Sequence, residues 1–306
     1  MIPVGLVLEP APPESANAVD DLVARAQHAA DAGLASLWLP QMYDIDALTA
    51  LALIGRQVRE VTLGTAVTTI HSRHPITMSS MAKTAQAAVG GRLVLGLGTG
   101  HRATVEQRYG YRFDRPAQRM REYLAALLPL LRDEEVSYRG QTVTADTAGW
   151  PTRVPGSTPP PVLLAALGPL MLRVAGEAAA GTITWLAGPR TIAGHVTPAI
   201  TAASGPRPAP QIVASLPVCL TSEHDAARDR AAAALAFYAN VPSYRAILDR
   251  EGVRSPAEVA LVGTERDIEH AISRLADAGV THFAANTAMF TTPEEKARTI
   301  AFLGSL

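Results

Sequence analysis

Two histidines follow apolar stretches of the sequence. His71 comes after residues 62–70, which carry no charge, and His101 comes shortly after residues 93–97, which are apolar apart from one glycine. Imidazole is the side chain that donates or accepts a proton close to neutral pH. Hydroxyl groups that can hold a ligand through hydrogen bonds stand nearby, at Thr68, Thr69 and Thr99. These residues predict a site for hydrogen bonding and proton transfer.

The apolar stretches before these histidines are typical of strands that are covered on both faces. Between them lies a helical stretch that begins after the sequence HSRHP. Two strands joined by a helix run parallel, and the crossover is right-handed. Because ligands collect beyond the carboxyl ends of such strands, we expect His71 and His101 to lie on the same rim.

The composition narrows the classes of ligand. The chain has 306 residues, enough for a large core, and its 27 Lys and Arg nearly balance 28 Asp and Glu, which gives a net charge of -1. This balance indicates neither nucleic-acid binding nor a charged patch for a membrane surface, and favours a small organic substrate. The single cysteine, Cys219, lies in the apolar run IVASLPVCL, so we expect a buried structural thiol. The absence of any internal disulfide predicts a cytoplasmic protein.

Eight stretches have the pattern of buried strands, and helical stretches separate them. They are residues 4–8, 36–40, 62–70, 93–97, 162–167, 182–187, 211–220 and 282–286. This unit count predicts an α/β fold, a closed (β/α)8 barrel, with one domain over residues 1–306. We expect a hairpin and loop insertion at 133–161 and a helical insertion after strand seven at 222–262. Ser222 and Asp225 have the spacing of a capping box for the first helix of that insertion.

Residues 63–102, LGTAVTTIHSRHPITMSSMAKTAQAAVGGRLVLGLGTGHR, resemble the strand-three to strand-four signature of the bacterial luciferase-like superfamily. The segments SLWLPQ, VLLAALGPLMLRVAGEAAAGTITW and ALVGTERDIEHAISRLADAGVTHF are also similar to it. Members are TIM barrels that use FMN or the deazaflavin coenzyme F420, and the likeness is greatest to the actinobacterial F420-dependent oxidoreductases. The resemblance implies hydride transfer between coenzyme F420 and a small organic substrate, and a homodimer.

The resemblance also implies where the coenzyme binds. A strand bulge with a non-prolyl cis peptide, which lies against the coenzyme ring in relatives, maps to Ala66 and Val67. The loop that binds the coenzyme phosphate maps to Ala165, Ala166, Leu167, Gly168 and Pro169. Small side chains before a helix N-terminus suit an anion. Thr99 and Gly100 complete the predicted coenzyme site. Without a ligand, these segments would be an ordinary strand, a plain helix start and a tight turn.

Other residues are candidates for contact with the reacting groups. His101 stands where some relatives have a glutamate, so it is a candidate donor of a hydrogen bond or proton, or else a solvated loop histidine. Gln41 replaces a histidine of several relatives, and its amide can orient a ligand but cannot act as a general base. Glu9, His71 and Trp185 are predicted to line the substrate pocket, although a tryptophan is more often part of the barrel packing.

Three functions remain open at this point. The first is an F420-dependent oxidoreductase acting on a C=C or C=N bond or on an alcohol or carbonyl group. The second is an FMN-dependent monooxygenase, and the third is a barrel that binds a flavin or another ligand without turnover. The sequence has no zinc-ligand spacing, GxSxG motif or P-loop, so no metal site, hydrolysis or phosphoryl transfer is predicted.

Overall fold

Eight parallel strand positions close into a barrel in the computed structural model, which describes residues 1–306. The chain order of the barrel strands is β1 Val4–Val7, β2 Ser36–Leu39, β3 Thr62–Thr65 with β4 Thr68–Thr69, β5 Leu93–Gly98, β8 Val162–Ala165, β9 Gly181–Trp185, β10 Gln211–Leu220 and β12 His282–Asn286. Closure comes from the pairing of β10 with β9 on one side and with β12 on the other. The predicted (β/α)8 barrel is confirmed.

Helices surround the barrel on its outside and, in the second insertion, at its rim. They are α1 Ala18–Asp31, α2 Ala47–Gln57, α3 Pro75–Ala88, α4 Pro116–Leu131, α5 Pro169–Ala178, α6 Pro189–Thr191, α7 Thr197–Ser204, α8 His224–Leu235, α9 Pro242–Glu251, α10 Glu265–Asp277 and α11 Pro293–Gly304. Shorter π- or 3-10-helical turns occupy Thr104–Arg108, Ile192–Val196, Ala236–Asn240 and Pro256–Val259. None of the helices is long and apolar enough to cross a membrane.

The two predicted insertions interrupt the alternation of strands and helices. The first contains an antiparallel hairpin, β6 Ser137–Arg139 and β7 Thr144–Asp146. The second contains α8 and α9 and returns to the barrel through β11 Leu261–Gly263, which pairs in parallel with the last residues of β10. Both ends of the second insertion are therefore attached to the same strand, β10.

The predicted capping box of Ser222 and Asp225 is wrong. The first residue of α8 is His224, and the residue before it, Glu223, makes no capping hydrogen bond through its side chain. Ser222 thus lies one position too early to cap the helix. The hydroxyl of Thr221 instead accepts a hydrogen bond from the backbone N–H of Glu223. Reciprocal capping boxes occur at three later helix starts, at Ser255, Thr264 and Thr292.

The inside of the barrel is filled by apolar side chains. They come from seven of the barrel strands: Val7, Trp38, Val94, Leu163, Ile183, Val213 and Ala284. A much larger cluster of 71 buried residues lies mainly between the strands and the surrounding helices. We call these seven side chains the interior plug. Because they fill the interior, a ligand has to bind above them, on the carboxyl rim of the strands.

A bulge separates β3 from β4, and the peptide bond between Ala66 and Val67 is cis, at the position that the resemblance implied. Thr65 Oγ1 donates to the carbonyl of Gly96 at 2.7 Å and accepts from its N–H at 2.8 Å. A Cβ atom on Gly96 would lie 1.9 Å from the carbonyl oxygen of Thr65, and one on Gly98 would lie 2.7 Å from a methyl group of Val67. Glycine is therefore required at position 96 for the bulge to pack against β5, and a side chain at position 98 would displace Val67.

Candidate active site

The carboxyl ends of β4 and β5 bring the two predicted histidines to one rim. Thr68 pairs with Leu97, and the N–H of Ile70 donates to the carbonyl of Gly98 at 3.0 Å. The chain then turns at Gly100, whose φ of 69° is in the left-handed region. Ala66 and Val67 are half-buried just below this rim and pack on the interior plug. The structure therefore unites the bulge with the residues that follow β5.

His101 is half-buried among aromatic side chains. Its ring centroid lies 5.9 Å from that of Tyr244 and 6.5 Å from that of Phe237. Burial lowers the pKa of His101 below its usual value. At neutral pH the imidazole is therefore uncharged, and it can offer one N–H group and one acceptor nitrogen to a ligand.

The insertion after β10 supplies three aromatic residues that the sequence analysis did not single out. Tyr238 lies edge-on to Tyr244 at 4.9 Å and to Trp185 at 5.9 Å, and Phe237 is 64% exposed. We call His101, Trp185, Phe237, Tyr238 and Tyr244 the aromatic wall. A signal was present in the sequence: FYANVPSY holds three aromatic residues in a chain that is only 5% aromatic. The pattern alone does not show that these rings meet the rim of β5.

Glu251 attaches this insertion to the barrel. Its buried carboxylate accepts hydrogen bonds from the backbone N–H groups of Arg190 at 3.2 Å and Thr191 at 2.8 Å, in the first turn after β9. A Cβ atom on Gly188 would lie 2.4 Å from the same carboxyl group. The aromatic wall is therefore held in place by a charge-assisted contact at the C-terminus of α9.

His71 is buried on the other side of the rim. Its ring stacks on Phe113 with centroids 5.7 Å apart. Burial, with a smaller contribution from the nearby positive charge of Arg119, lowers the pKa of His71 to about 4. Its Nδ1 atom is buried and has no hydrogen-bond partner. His71 is thus neutral at physiological pH and holds an unsatisfied polar atom that a ligand could pair with.

The amide of Gln41 is occupied by contacts within the protein. Its Nε2 group donates to two carbonyls of its own loop, and its Oε1 atom accepts from the N–H of Ala47 at 2.9 Å and from Arg73 at 3.2 Å. Arg73 also pairs with Asp46 and donates to Thr68 at 2.9 Å. Gln41 therefore organises the loops after β2 and β4, and the catalytic role assigned to it stays a prediction. Arg73, in the motif HSRHP, was missed by sequence reasoning.

Glu9 lies in a different environment from the rim histidines. Its carboxylate pairs with Lys296 and lies 4.0 Å from Arg25. These three residues belong to a cavity of about 390 Å³ between β1, α1 and α11. The structure does not bring Glu9 together with His71 and Trp185, and its place in a substrate pocket stays a prediction.

The loop from Ala165 to Pro169 is fixed through its carbonyl groups. Thr182 Oγ1 lies 3.5 Å from the carbonyl oxygen of Ala166, and His195 Nε2 lies 2.9 Å from that of Leu167. Gly168 precedes α5 without a side-chain cap, and no atom lies within 4 Å of the place where its Cβ would be. An uncapped helix start with open space beside it suits an anion such as a phosphate group.

Comparison with known proteins gives one family match over almost the whole chain. Residues 4–302 match the model of the luciferase-like monooxygenase family. A 5,10-methylenetetrahydromethanopterin reductase from Archaeoglobus fulgidus is 28% identical over 233 residues, which cover 75% of this chain and 69% of that protein. A putative coenzyme F420-dependent oxidoreductase from Mycobacterium tuberculosis is 32% identical over 181 residues, 56% of this chain and 51% of that protein. The solved structure of coenzyme F420-dependent tetrahydromethanopterin reductase from Methanopyrus kandleri has the same fold, with a TM-score of 0.83, 22% identity and coverage of 99% and 97%.

Proposed function

The chain belongs to the luciferase-like monooxygenase family, and we propose that it is an oxidoreductase that transfers a hydride between coenzyme F420 and a small organic substrate. The observation that carries the proposal is the rim where Ala66 and Val67 lie half-buried beside β5, with an uncapped helix start at Gly168 further along the same rim. Names of relatives from Archaeoglobus fulgidus and Mycobacterium tuberculosis support the choice of activity and coenzyme.

The residues present fit such a coenzyme. A planar ring would lie against Ala66, Val67 and Gly100, where small or half-buried side chains leave one face open. The phosphate would bind at Gly168, where the side of the loop is unobstructed. His71 Nδ1 is a buried polar atom without a partner, and a bound ligand would satisfy it.

Coenzyme F420 supplies a two-electron hydride carrier when it is bound. The protein orients the reactants, excludes water with the aromatic wall and provides a hydrogen bond from neutral His101. Burial alone shifts the pKa of His101, with no contribution from a neighbouring carboxylate, so its proton is available to a substrate oxygen or nitrogen without a competing ion pair. This arrangement suits a polarised C=C, C=N or C=O bond, or the corresponding alcohol in the reverse direction.

Titration of the purified protein with F420 and, separately, with FMN tests the proposal. We expect F420 to bind and FMN to bind more weakly, followed by the change in coenzyme fluorescence. Gly168→Val should weaken F420 binding at only a small cost in the unfolding midpoint, because a Cβ atom at this position meets no protein atom. Gly194→Val is the matched control, since Gly194 also has nothing within 4 Å. Tight FMN binding together with no F420 binding would contradict the coenzyme assignment.

We also propose a homodimer, supported by the family resemblance, and a cytoplasmic location, supported by the single buried cysteine. Light scattering at micromolar concentration measures the first directly. A mass equal to one chain of 32.2 kDa would contradict it.

A further inference from the structure

The aromatic wall borders an uncovered position at the end of β8. Leu164 is fully buried, whereas Ala165, the next residue of the strand, is exposed. The strand lies between β5 and β9, whose ends lead to His101 and carry Trp185. The rings of the insertion contact both of these side chains. Ala165 is therefore an exposed, small residue with aromatic side chains on both sides of it, and this arrangement suits a planar molecule.

One hydrogen-bond donor of the wall has no acceptor. The Nε1 atom of Trp185 is buried and makes no hydrogen bond. Burial raises the pKa of Tyr238, and the neighbouring indole partly offsets the rise, but the two groups do not meet the geometry of a hydrogen bond. A buried N–H without a partner costs free energy, which a ligand oxygen in reach of it would recover.

The wall has no fixed charge at neutral pH. Burial raises the pKa of Tyr244 and lowers that of His101, so both rings are uncharged there, as is the indole. The nearest neighbours of these rings in the wall are again aromatic. A charged ligand would lose hydration against these rings without gaining a counter-ion from the wall itself.

We propose that the aromatic wall binds an uncharged, planar organic molecule that carries a carbonyl oxygen, with its plane against the rings and its oxygen accepting a hydrogen bond from Trp185 Nε1. This assignment rests on the proposed function, since the bound molecule would be the hydride-exchanging substrate, and it names the class of that substrate. The rings of the wall thereby favour an uncharged, planar ligand, and Trp185 favours one with a carbonyl group.

Three related probes separate these features. The ketone 4-phenylbut-3-en-2-one is planar and neutral and carries a carbonyl group. Cinnamate has the same ring and double bond but carries a carboxylate. The third probe, β-methylstyrene, has the ring and the double bond but no oxygen atom. Isothermal titration of each probe is made on the protein with and without F420. We expect the ketone to bind at least tenfold more tightly than cinnamate, because the wall offers no counter-ion. Equal or tighter binding of cinnamate would overturn the proposal.

Trp185→Phe tests the hydrogen bond and keeps an aromatic ring against Tyr238. We expect the variant to bind the ketone about tenfold more weakly, as for the loss of one hydrogen bond, and to bind β-methylstyrene as the unmodified protein does. Trp150→Phe is the matched control, because Trp150 is 76% exposed and lies in the first insertion. Unchanged ketone binding in Trp185→Phe, or an equal loss for β-methylstyrene, would overturn the role of the indole.

The same measurements distinguish this proposal from the proposed function. F420 affinity is measured separately by coenzyme fluorescence, and we expect Trp185→Phe to retain it. A protein that binds F420 but does not prefer the ketone overturns the substrate class alone. A protein that prefers the ketone but does not bind F420 overturns the coenzyme assignment alone.

Discussion

The two sides of the barrel mouth are built by different means. Around β3 to β5, the backbone itself forms the surface, with the bulge packed onto Gly96 and Gly98 and tied by the hydroxyl of Thr65. Near β8 and β9, the surface comes from side chains of an insertion that is distant in sequence and is attached through Glu251. A surface made of backbone tolerates few changes, whereas rings on an insertion can be exchanged one at a time. The first side therefore suits the ring of the proposed coenzyme, and the rings of the insertion suit a particular substrate.

His101 lies between the two sides, and its removal should have the largest effect on turnover. If it supplies the proton, His101→Asn should lower kcat by roughly 10² to 10⁴ with little change in F420 affinity. Because burial lowers its pKa, His101 stays neutral from pH 8 down to about its usual pKa of 6.5, so the rate that it supports should be constant there and change only in more acidic solution. The variant should lose this pH dependence. Steady-state rates from pH 5 to 8 measure both effects, and an undiminished rate would remove His101 from the mechanism.

On the side around β3 to β5, a methyl group added at a glycine should cause the largest loss in the free energy of unfolding. In Gly96→Ala the new Cβ would lie 1.9 Å from the carbonyl oxygen of Thr65, so the bulge or β5 has to move. We expect a loss of about 3 kcal/mol in the free energy of unfolding. Urea denaturation measures the loss, with Gly194→Ala as the control that has no neighbour within 4 Å. A loss equal to that of the control would show that the two strands are not closely packed.

Loss of the Glu251 contact should affect only the side of the barrel mouth that is formed by the insertion after β10. Glu251→Gln replaces one acceptor oxygen by an N–H group and leaves one of the buried N–H groups of Arg190 and Thr191 unpaired, at a cost of about 2 kcal/mol. Hydrogen exchange should speed up across residues 236–251, while F420 affinity stays the same. Faster exchange in β3 to β5 as well would show that the two sides are not independent.

A smaller effect is expected from His71, on how the free energy of unfolding depends on pH. Its pKa is about 4 in the folded protein against 6.5 when unfolded, so the unfolded chain binds the extra proton as the pH falls and stability decreases from about pH 6.5 downward. Between pH 7 and pH 5.5 this residue should account for a loss of about 1 kcal/mol. The comparison of urea unfolding at both pH values in the unmodified protein and in His71→Asn isolates it. An identical pH dependence in the two proteins would contradict the burial of a neutral imidazole.

The fold and one side of the mouth could be predicted from sequence because their signals are local. Strand and helix periodicity gave the eight units, and the stretch from Leu63 to Arg102 places the bulge, both histidines and the glycines of β5 in one continuous segment. The position of the cis peptide followed from the resemblance and is present between Ala66 and Val67.

The aromatic wall and the network of Arg73 could not be predicted because they depend on contacts between distant segments. Tyr244 meets His101 only after α9 has folded over the rim, and no periodic pattern specifies that approach. Gln41 appeared free to orient a ligand, but Ala47 and Arg73 occupy its oxygen. The capping box at Ser222 failed because α8 begins at His224, one residue later than a cap at Ser222 requires.

The pairing of β11 with the end of β10 also bears on how the protein can change over evolutionary time. Leu261, Val262 and Gly263 lie in register with Val218, Cys219 and Leu220, so the chain leaves and re-enters the barrel at neighbouring points. The entropy of closing a loop between fixed ends grows slowly, by roughly 0.6 kcal/mol for each doubling of its length. Added length in the exposed turns of residues 222–260 should therefore cost the barrel little stability, as long as Glu251 keeps its hydrogen bonds to Arg190 and Thr191. Under the proposed function, changes in the length and side chains of this segment would alter the substrate while the coenzyme-binding strands stay the same.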